Sequence, residues 1–233
     1  MRLVVQIPCF NEASTIAAVI RSVPRTLPGF ARVEVLVIDD GSTDGTAEAA
    51  RAAGADHVIA HARNLGLARA FSSGTAKALA LGADVLVNTD GDGQYPQEDI
   101  ARLVGPIAEG RAELVIGDRG VARSPEFPRR KRALHALGSV VARLVSGTRV
   151  ADPPSGFRAY SRAAASAIHL ETDFSHTLET LVIAGRLGWR IVEIPIVVHG
   201  ATRPSRLFAS DWQYVASSAL TLVRLAALPP RRR

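Results

Sequence analysis

Through the first half of the chain, short apolar runs alternate with stretches whose apolar residues recur every three or four positions. Leu3–Ile7 reads as a strand and Ser14–Val23 as a helix, with Ser14 placed to cap it. Val33–Ile38 is the next strand, followed by a turn and a helix from about Asp44 to Ala53. His57–Ala60, Val85–Asn88 and Leu114–Gly117 read as further strands, separated by helices over Leu67–Leu81 and Gln97–Glu109, the latter started by Pro96. This order predicts an α/β fold, a mostly parallel sheet flanked by helices on both faces. Ligands of such sheets bind beyond the carboxyl ends of the strands. The polar clusters Pro8–Glu12, Asp39–Asp44, Asn64, Asp90–Gln94 and Asp118-Arg119 all fall there.

The second half changes character. Arg123–Arg132 is rich in Pro and Arg without periodicity and reads as a loop able to act as a lid. Arg132–Leu144 predicts an amphipathic helix, Ser155–Tyr160 an extended segment, Leu178–Leu187 a helix and Ile191–Val198 a strand. Ser205–Leu228 holds a last helix before Pro229-Pro230 and an Arg-Arg-Arg end. The expected organisation is one domain over 1–204, in two halves that divide after residue 118. An amphipathic helix and basic tail follow over 205–233.

Thr89–Gln94 carries the most pointed chemistry. Asp90 and Asp92 follow a buried apolar run, and two neighbouring carboxylates there repel and resist desolvation. A divalent cation relieves both, and hard oxygen ligands at this spacing suit Mg²⁺ or Mn²⁺ shared with substrate phosphates. At Asp39–Gly45 a carboxylate can accept from a base N–H edge or from ribose hydroxyls, while Asp44 suits an Asx turn and helix cap. Arg119, Arg203 and Arg206 are candidates for gripping phosphates, because a guanidinium fork matches phosphate geometry.

Charge sharpens this division. Residues 1–118 hold 10 Lys+Arg and 15 Asp+Glu, and residues 119–233 hold 18 and 7, so −5 and +11 make up the total of +6. The basic half suits phosphates or an anionic membrane surface. An aromatic content of 5% and no recognition motif argue against nucleic acid. Cys9, the only cysteine, excludes an intrachain disulfide and fits a reducing compartment. No apolar stretch reaches the roughly 18–20 residues of a membrane span, and the N-terminus lacks a signal-peptide core. A cytoplasmic protein is expected, able to sit at the inner face of the cell membrane.

Several signatures fail. There is no Walker-type phosphate loop and no G-x-G-x-x-G after the first strand. The six histidines lack zinc-ligand spacing, and no nucleophile elbow supports a Ser-His-Asp triad. Asp39–Asp44 lacks the glutamate that would close an EF-hand loop. What remains is metal-assisted handling of a phosphorylated substrate.

Ile7–Glu12, Ile38–Thr46, Asn64–Ala68 and Thr89–Gln94 stand in the order found in family 2 glycosyltransferases, and the chain resembles their dolichyl- and polyprenyl-phosphate sugar synthases. Gly117–Arg119, Asp152–Tyr160, Glu179 and Arg203–Arg206 extend the resemblance over roughly residues 3–210. It implies a GT-A fold, a nucleotide-diphospho-sugar donor, a divalent metal and inversion at the anomeric carbon, with 1–118 the nucleotide- and metal-binding half and 119–204 the acceptor half. By position it implies that Pro8, Asn11, Glu12 and Asp39 form the nucleoside pocket. Asp90 and Asp92 would face metal and diphosphate, with Gln94 a further ligand. Asp92, Asp152 and Arg119 are the implied catalytic residues, and Asp152 would act as base only if the acceptor needs one. Arg158, in the Asp152 motif, joins the phosphate- or acceptor-binding arginines. Phe10 and Gly91 replace the usual Tyr and Ala of these motifs, and the chain stops at Arg233 where many relatives continue into membrane helices.

The expected activity is transfer of a hexose from a UDP- or GDP-sugar to a lipid-linked phosphate or a glycan-precursor hydroxyl. The C-terminal helix would supply peripheral membrane contact. A sugar-phosphate nucleotidyltransferase and a non-catalytic sugar-nucleotide-binding subunit are the alternatives. The first expects a Gly-rich N-terminal loop that Pro8–Glu12 does not provide.

Overall fold

A computed structural model describes residues 1–124, 127–172, 176–199, 220–221 and 223–225. β1 (Arg2–Cys9) lies between β2 (Arg32–Asp39) and β4 (Val85–Asn88), parallel to both. β3 (His57–Ala60) extends the β2 edge. On the other side the order continues through β6 (Arg158–Ser161), β5 (Leu114–Asp118) and β7 (Ile191–Pro195), giving β3-β2-β1-β4-β6-β5-β7. β6 runs antiparallel to both its neighbours, and every other pair is parallel.

Strand residues alternate between two apolar layers, as the period of two in a pleated strand requires. Leu3, Val5, Ile7, Val35 and Val37 face α1 (Ile16–Ser22), α2 (Thr46–Ala52) and α4 (Ile100–Ala108). Val4, Leu36, Ile38, Leu86 and Tyr160 face α3 (Leu67–Ala80), α6 (Arg162–Ala167) and α7 (His176–Leu187). Gly74 lets α3 press on the sheet, because a Cβ there would stand 2.5 Å from Gln6 and 2.6 Å from Ile38. α5 (Arg129–Ser146) packs on α7 through Ala142, Val145 and Leu178.

The chain matches its hydrophobic pattern to within a residue or two at most ends of the parallel half, and four differences stand out. α1 starts at Ile16 rather than Ser14, because Thr15 Oγ is drawn across the chain to the Gly91 carbonyl at 2.7 Å and makes no capping bond. The expected loop Arg123–Arg132 is cut short: α5 begins at Arg129, directly after Pro128, and Arg and Lys are good helix formers. The extended segment expected at Ser155–Tyr160 becomes β6, inserted antiparallel, and helix α6 follows it where none was expected. The last strand stops at Pro195, short of the expected Val198.

Under the second half lies a buried aromatic stack. His176 lies on Phe71 with centroids 4.3 Å apart, and Phe71 meets Tyr160 edge-on at 5.9 Å. Neither His176 ring nitrogen has a hydrogen-bond partner. Burial, reinforced by the Arg158 charge, pushes its pKa down from 6.5 to about 3. Between those values the unfolded chain binds a proton that the folded core refuses, so stability falls as the pH drops through that window. Lowering the pH from 7.5 to 5 should cost about 2 kcal/mol through this residue. Urea unfolding of His176→Phe at both pH values should show that part of the pH dependence gone, whatever its absolute stability.

Candidate active site at the strand ends

The carboxyl ends of β1, β2, β4 and β5 carry one polar cluster each. Because β6 is reversed, its entry, Ser155-Gly156-Phe157, reaches the same edge and carries the Asp152–Arg158 motif to the cleft.

The loops after β1 and β2 are stitched together. Asn11, the only non-glycine residue with positive φ (56°) among those described, accepts from Thr43 N–H at 2.9 Å and donates its own N–H to Ser42 Oγ at 2.8 Å. Glu12 N–H donates to Thr46 Oγ at 2.8 Å, and Asp44 accepts from Ala13 and Thr46 N–H, both at 3.1 Å. The expected Asx turn is present, with Gly45 rather than Asp44 at the helix cap position. Asp39, buried at the end of β2, accepts from Ser42 N–H at 3.0 Å through one oxygen. Its other oxygen takes no hydrogen bond among the described residues. Pro8 lies in β1 beside Ile38. Pro8, Asn11, Glu12 and Asp39 therefore line one corner.

Asp40 holds the next loop. Its carboxylate accepts from His61 at 2.7 Å and from the N–H groups of Leu65 and Gly66 at 2.9 and 2.8 Å. His61 reaches Ser73 Oγ at 3.0 Å, which completes the atom order of a Ser-His-Asp triad. Ser73 lies inside α3, so the neighbouring N–H groups are committed to the helix and no oxyanion hole faces it. The chain of bonds is a brace.

Asp90 and Asp92 stand beyond β4. Asp92 accepts from Gln94 N–H at 3.0 Å and from the Gln94 amide nitrogen at 2.6 Å, which leaves the amide oxygen as that side chain's donor atom toward a cation. No hydrogen bond reaches the Asp90 carboxylate among the described residues, although Gly156 lies against it: a Cβ there would stand 3.2 and 3.4 Å from the two oxygens. Burial first and Asp92 second push the Asp90 pKa up to about 7, opposed by Arg119. A part-buried carboxylate that lacks a protein donor and faces a second carboxylate fits a hard divalent cation. Among the described residues no trio of His, Cys, Asp or Glu could hold a metal. The remaining coordination would thus come from Gln94, water and substrate oxygens, which suits Mg²⁺ or Mn²⁺. Gly91 is fixed by space, since a Cβ there would meet the Cys9 Cβ at 3.1 Å.

Arg119, one residue past β5, forms a fork onto Asp152: its Nε and a terminal nitrogen each donate at 2.8 Å, and its backbone N–H donates at 3.0 Å. His135 on α5 meets the same carboxylate at 2.9 Å. Asp152 is fully buried. Burial alone would raise its pKa, but the Arg119 charge and the bonds from Arg119 and His135 hold it well below the usual carboxylate range. Such a group is a poor base. Glu193 on β7 accepts from the N–H groups of Ala151 and Asp152 at 2.8 and 3.3 Å and fixes the loop from behind.

Arg158 does not face the cleft. It is wholly buried and donates to the Ser155, Thr177 and Pro153 carbonyls and to Thr180 Oγ, so the expected phosphate contact is corrected to an internal strut. Its guanidinium offers five donors, and three of them go to buried carbonyls near the start of β6 and α7. Arg203 and Arg206 lie outside the described residues, as does most of the 205–233 segment.

Sequence reasoning missed His135, which no motif marked, and a buried polar chain under the site. Gln6 donates to Asn88 at 3.0 Å, Asn88 to the Gly156 carbonyl at 2.9 Å, and Gly156 N–H to Tyr95 Oη at 2.9 Å. The available signal was polar Gln6 and Asn88 inside otherwise apolar strands.

A family described as glycosyl transferase family 2 matches residues 4–168. An undecaprenyl-phosphate mannosyltransferase of Micrococcus luteus is 32% identical over 206 residues, covering 84% of this chain and 83% of that protein. A polyprenol monophosphomannose synthase of Mycolicibacterium smegmatis is 32% identical over 208 residues, covering 84% and 76%. Among solved structures, glucosyl-3-phosphoglycerate synthase of Mycobacterium tuberculosis in complex with Mn²⁺, UDP and glucosyl-3-phosphoglycerate superposes with a TM-score of 0.73 at 24% identity, covering 98% of this chain and 81% of that one. The same enzyme with Mg²⁺ and UDP gives 0.72 at 25% identity, covering 98% and 80%. The matched span, the relatives and the seven-stranded mixed sheet together place the chain in glycosyl transferase family 2, as a glycosyltransferase built on the GT-A fold.

Proposed function

We propose that the protein is a metal-dependent, inverting hexosyltransferase that moves a sugar from UDP or GDP to a polyprenyl-phosphate-type lipid. One observation carries this reading: the part-buried Asp90 carboxylate, set beside Asp92 with no hydrogen bond to it among the described residues, leaves a place for a cation. The names of the relatives from Micrococcus and Mycolicibacterium support a polyprenyl phosphate acceptor, and the Mn²⁺- and Mg²⁺-bound neighbours support a divalent metal.

Pro8, Asn11, Glu12 and Asp39 would hold the nucleoside, with the free Asp39 oxygen accepting from a base N–H or a ribose hydroxyl. Asp90, Asp92 and the Gln94 oxygen would hold Mg²⁺ or Mn²⁺, which neutralises charge on the departing nucleoside diphosphate. An acceptor phosphate oxygen forms its bond to the anomeric carbon from the face opposite the breaking bond to the diphosphate. The electron pair of that broken bond leaves with the diphosphate, and the configuration inverts. Arg119, locked by Asp152 and His135, presents positive charge across the cleft from Asp90 without having to reorganise. A phosphate acceptor is already ionised near neutral pH and needs no base. That agrees with an Asp152 held far too acidic to take a proton.

Two outcomes test this. Thermal unfolding of the wild type should shift upward with UDP or GDP plus Mn²⁺ and not after EDTA, and Asp92→Ala should lose that shift and its turnover while keeping its own midpoint. An equal shift with EDTA present overturns the metal assignment. Asp152→Asn should lower kcat for transfer to a polyprenyl phosphate about 100-fold, with the donor KM little changed, because Arg119 loses its clamp. A selective fall in donor KM performance instead would move Arg119 to the nucleotide.

A further inference from the structure

We infer that α5 is a lipid-docking helix: its outward face lies on an anionic membrane surface while its inward face holds the catalytic pair in place. Arg129, Arg130, Ala133, Ala136, Leu137, Val140, Val141 and Leu144 recur every three or four residues, so they share one side of the helix. That side is open to solvent. Leu144 is 78% exposed, Leu137 63%, Val140 45% and Val141 38%, four of the large apolar side chains that the described residues leave uncovered. The opposite side buries Ser139, Ala142 and Ser146 and carries His135 to Asp152 at 2.9 Å.

Charge selects the occupant. The eighteen residues of α5 contain no Asp or Glu, while Arg129, Arg130, Lys131 and Arg132 fill its first turn. Cations at a helix N-terminus oppose the helix macrodipole, so their placement costs the helix stability and calls for an anion outside it. Phe127, just before the helix, lies under Lys131 with the ammonium 5.0 Å from the ring. An apolar stripe that begins in basic residues with an aromatic beside them is the pattern of a helix lying in a lipid interface. A second copy of the same helix would bring no carboxylate to meet these cations.

This inference rests on the lipid-acceptor reading for its purpose, since docking through α5 would bring a membrane-borne phosphate toward Arg119. Its test does not pass through turnover. The full chain should sediment with phosphatidylglycerol-containing vesicles and not with pure phosphatidylcholine, and added salt should release it. The double variant Leu137→Glu/Leu144→Glu should lose at least about tenfold of that partition. It should keep the wild-type unfolding midpoint and the stabilisation by UDP or GDP with Mn²⁺. Arg129→Glu/Arg130→Glu should weaken binding to anionic vesicles alone. Equal vesicle partition of wild type and both variants overturns the inference, as does a wild type that stays in the supernatant. A Leu137→Glu/Leu144→Glu variant that unfolds earlier, or turns a dimer into a monomer, overturns it too, because the stripe would then be covered by protein. Transfer to a short polyprenyl phosphate in detergent reports on the acceptor separately, so failure of docking and failure of the acceptor reading give different results.

Discussion

Like-charge repulsion between two carboxylates at the tip of one strand sets the terms for the rest of this cleft. Asp92 is relieved by the Gln94 N–H and amide, but Asp90 has Gly156 against it and no hydrogen bond among the described residues. Burial and the Asp92 charge push its pKa up to about 7 against the opposing pull of Arg119. The surroundings keep that spot narrow and rigid. Gly156 is fixed on both sides, its carbonyl by Asn88 and its N–H by Tyr95, and Tyr95 in turn stacks on Phe157 at 5.2 Å. A buried polar chain of this kind is stabilising only when its members are satisfied, and it aims the backbone rather than any side chain at the carboxylate.

The reversed strand β6 explains why so distant a part of the sequence meets Asp90. A parallel strand in that position would present its far end to the cleft, whereas β6 presents its start. Gly156 then meets Asp90 from a segment remote in sequence from the loops after β1 and β2. Arg119 arrives from β5, Asp152 from the loop before β6 and His135 from α5, so three separate elements converge on one carboxylate. Removing Arg119 would leave the buried Asp152 charge without its guanidinium partner, which is far costlier than the pair's net gain. The cluster therefore ties the position of α5 to the orientation of Arg119.

The parallel half was legible because its central strands β1, β2 and β4 are buried on both faces and its helices on one, so periodicity separates them. His57–Ala60 and Val85–Asn88 came out with the bounds expected, and the polar strand tips followed from the topology of such sheets. The other half was harder for identifiable reasons. A four-residue strand carries too few side chains to reveal its direction, so the antiparallel insertion of β6 left no trace in the pattern. Arg129–Arg132 looked like loop because charge masks periodicity, although the residues themselves favour helix. Arg158 was misjudged because a motif shows that an arginine stands in a place, not whether its donors point to solvent or to buried carbonyls. His135 had no neighbour in sequence to mark it, since its partner Asp152 lies 17 positions away.

The state of the remaining carboxylates bears on what the enzyme can attack with. Asp118 accepts from Gly120 N–H at 2.8 Å and pairs with Arg123. Glu193 holds two backbone N–H groups, Glu179 holds Thr172 through both N–H and hydroxyl, and Asp152 is bound by Arg119 and His135. Asp152 is no base waiting for a proton, because the Arg119 charge and its hydrogen bonds favour the ionised form already present, whereas burial pushes the Glu193 pKa up against its two backbone N–H bonds. A sugar hydroxyl would need such a base, with a pKa near the working pH, to become a competent nucleophile. A phosphate oxygen would not. The Arg119–Asp152–His135 cluster is thus built to hold a cation steady rather than to move protons, and that chemistry agrees with the proposed acceptor, which brings its own negative charge.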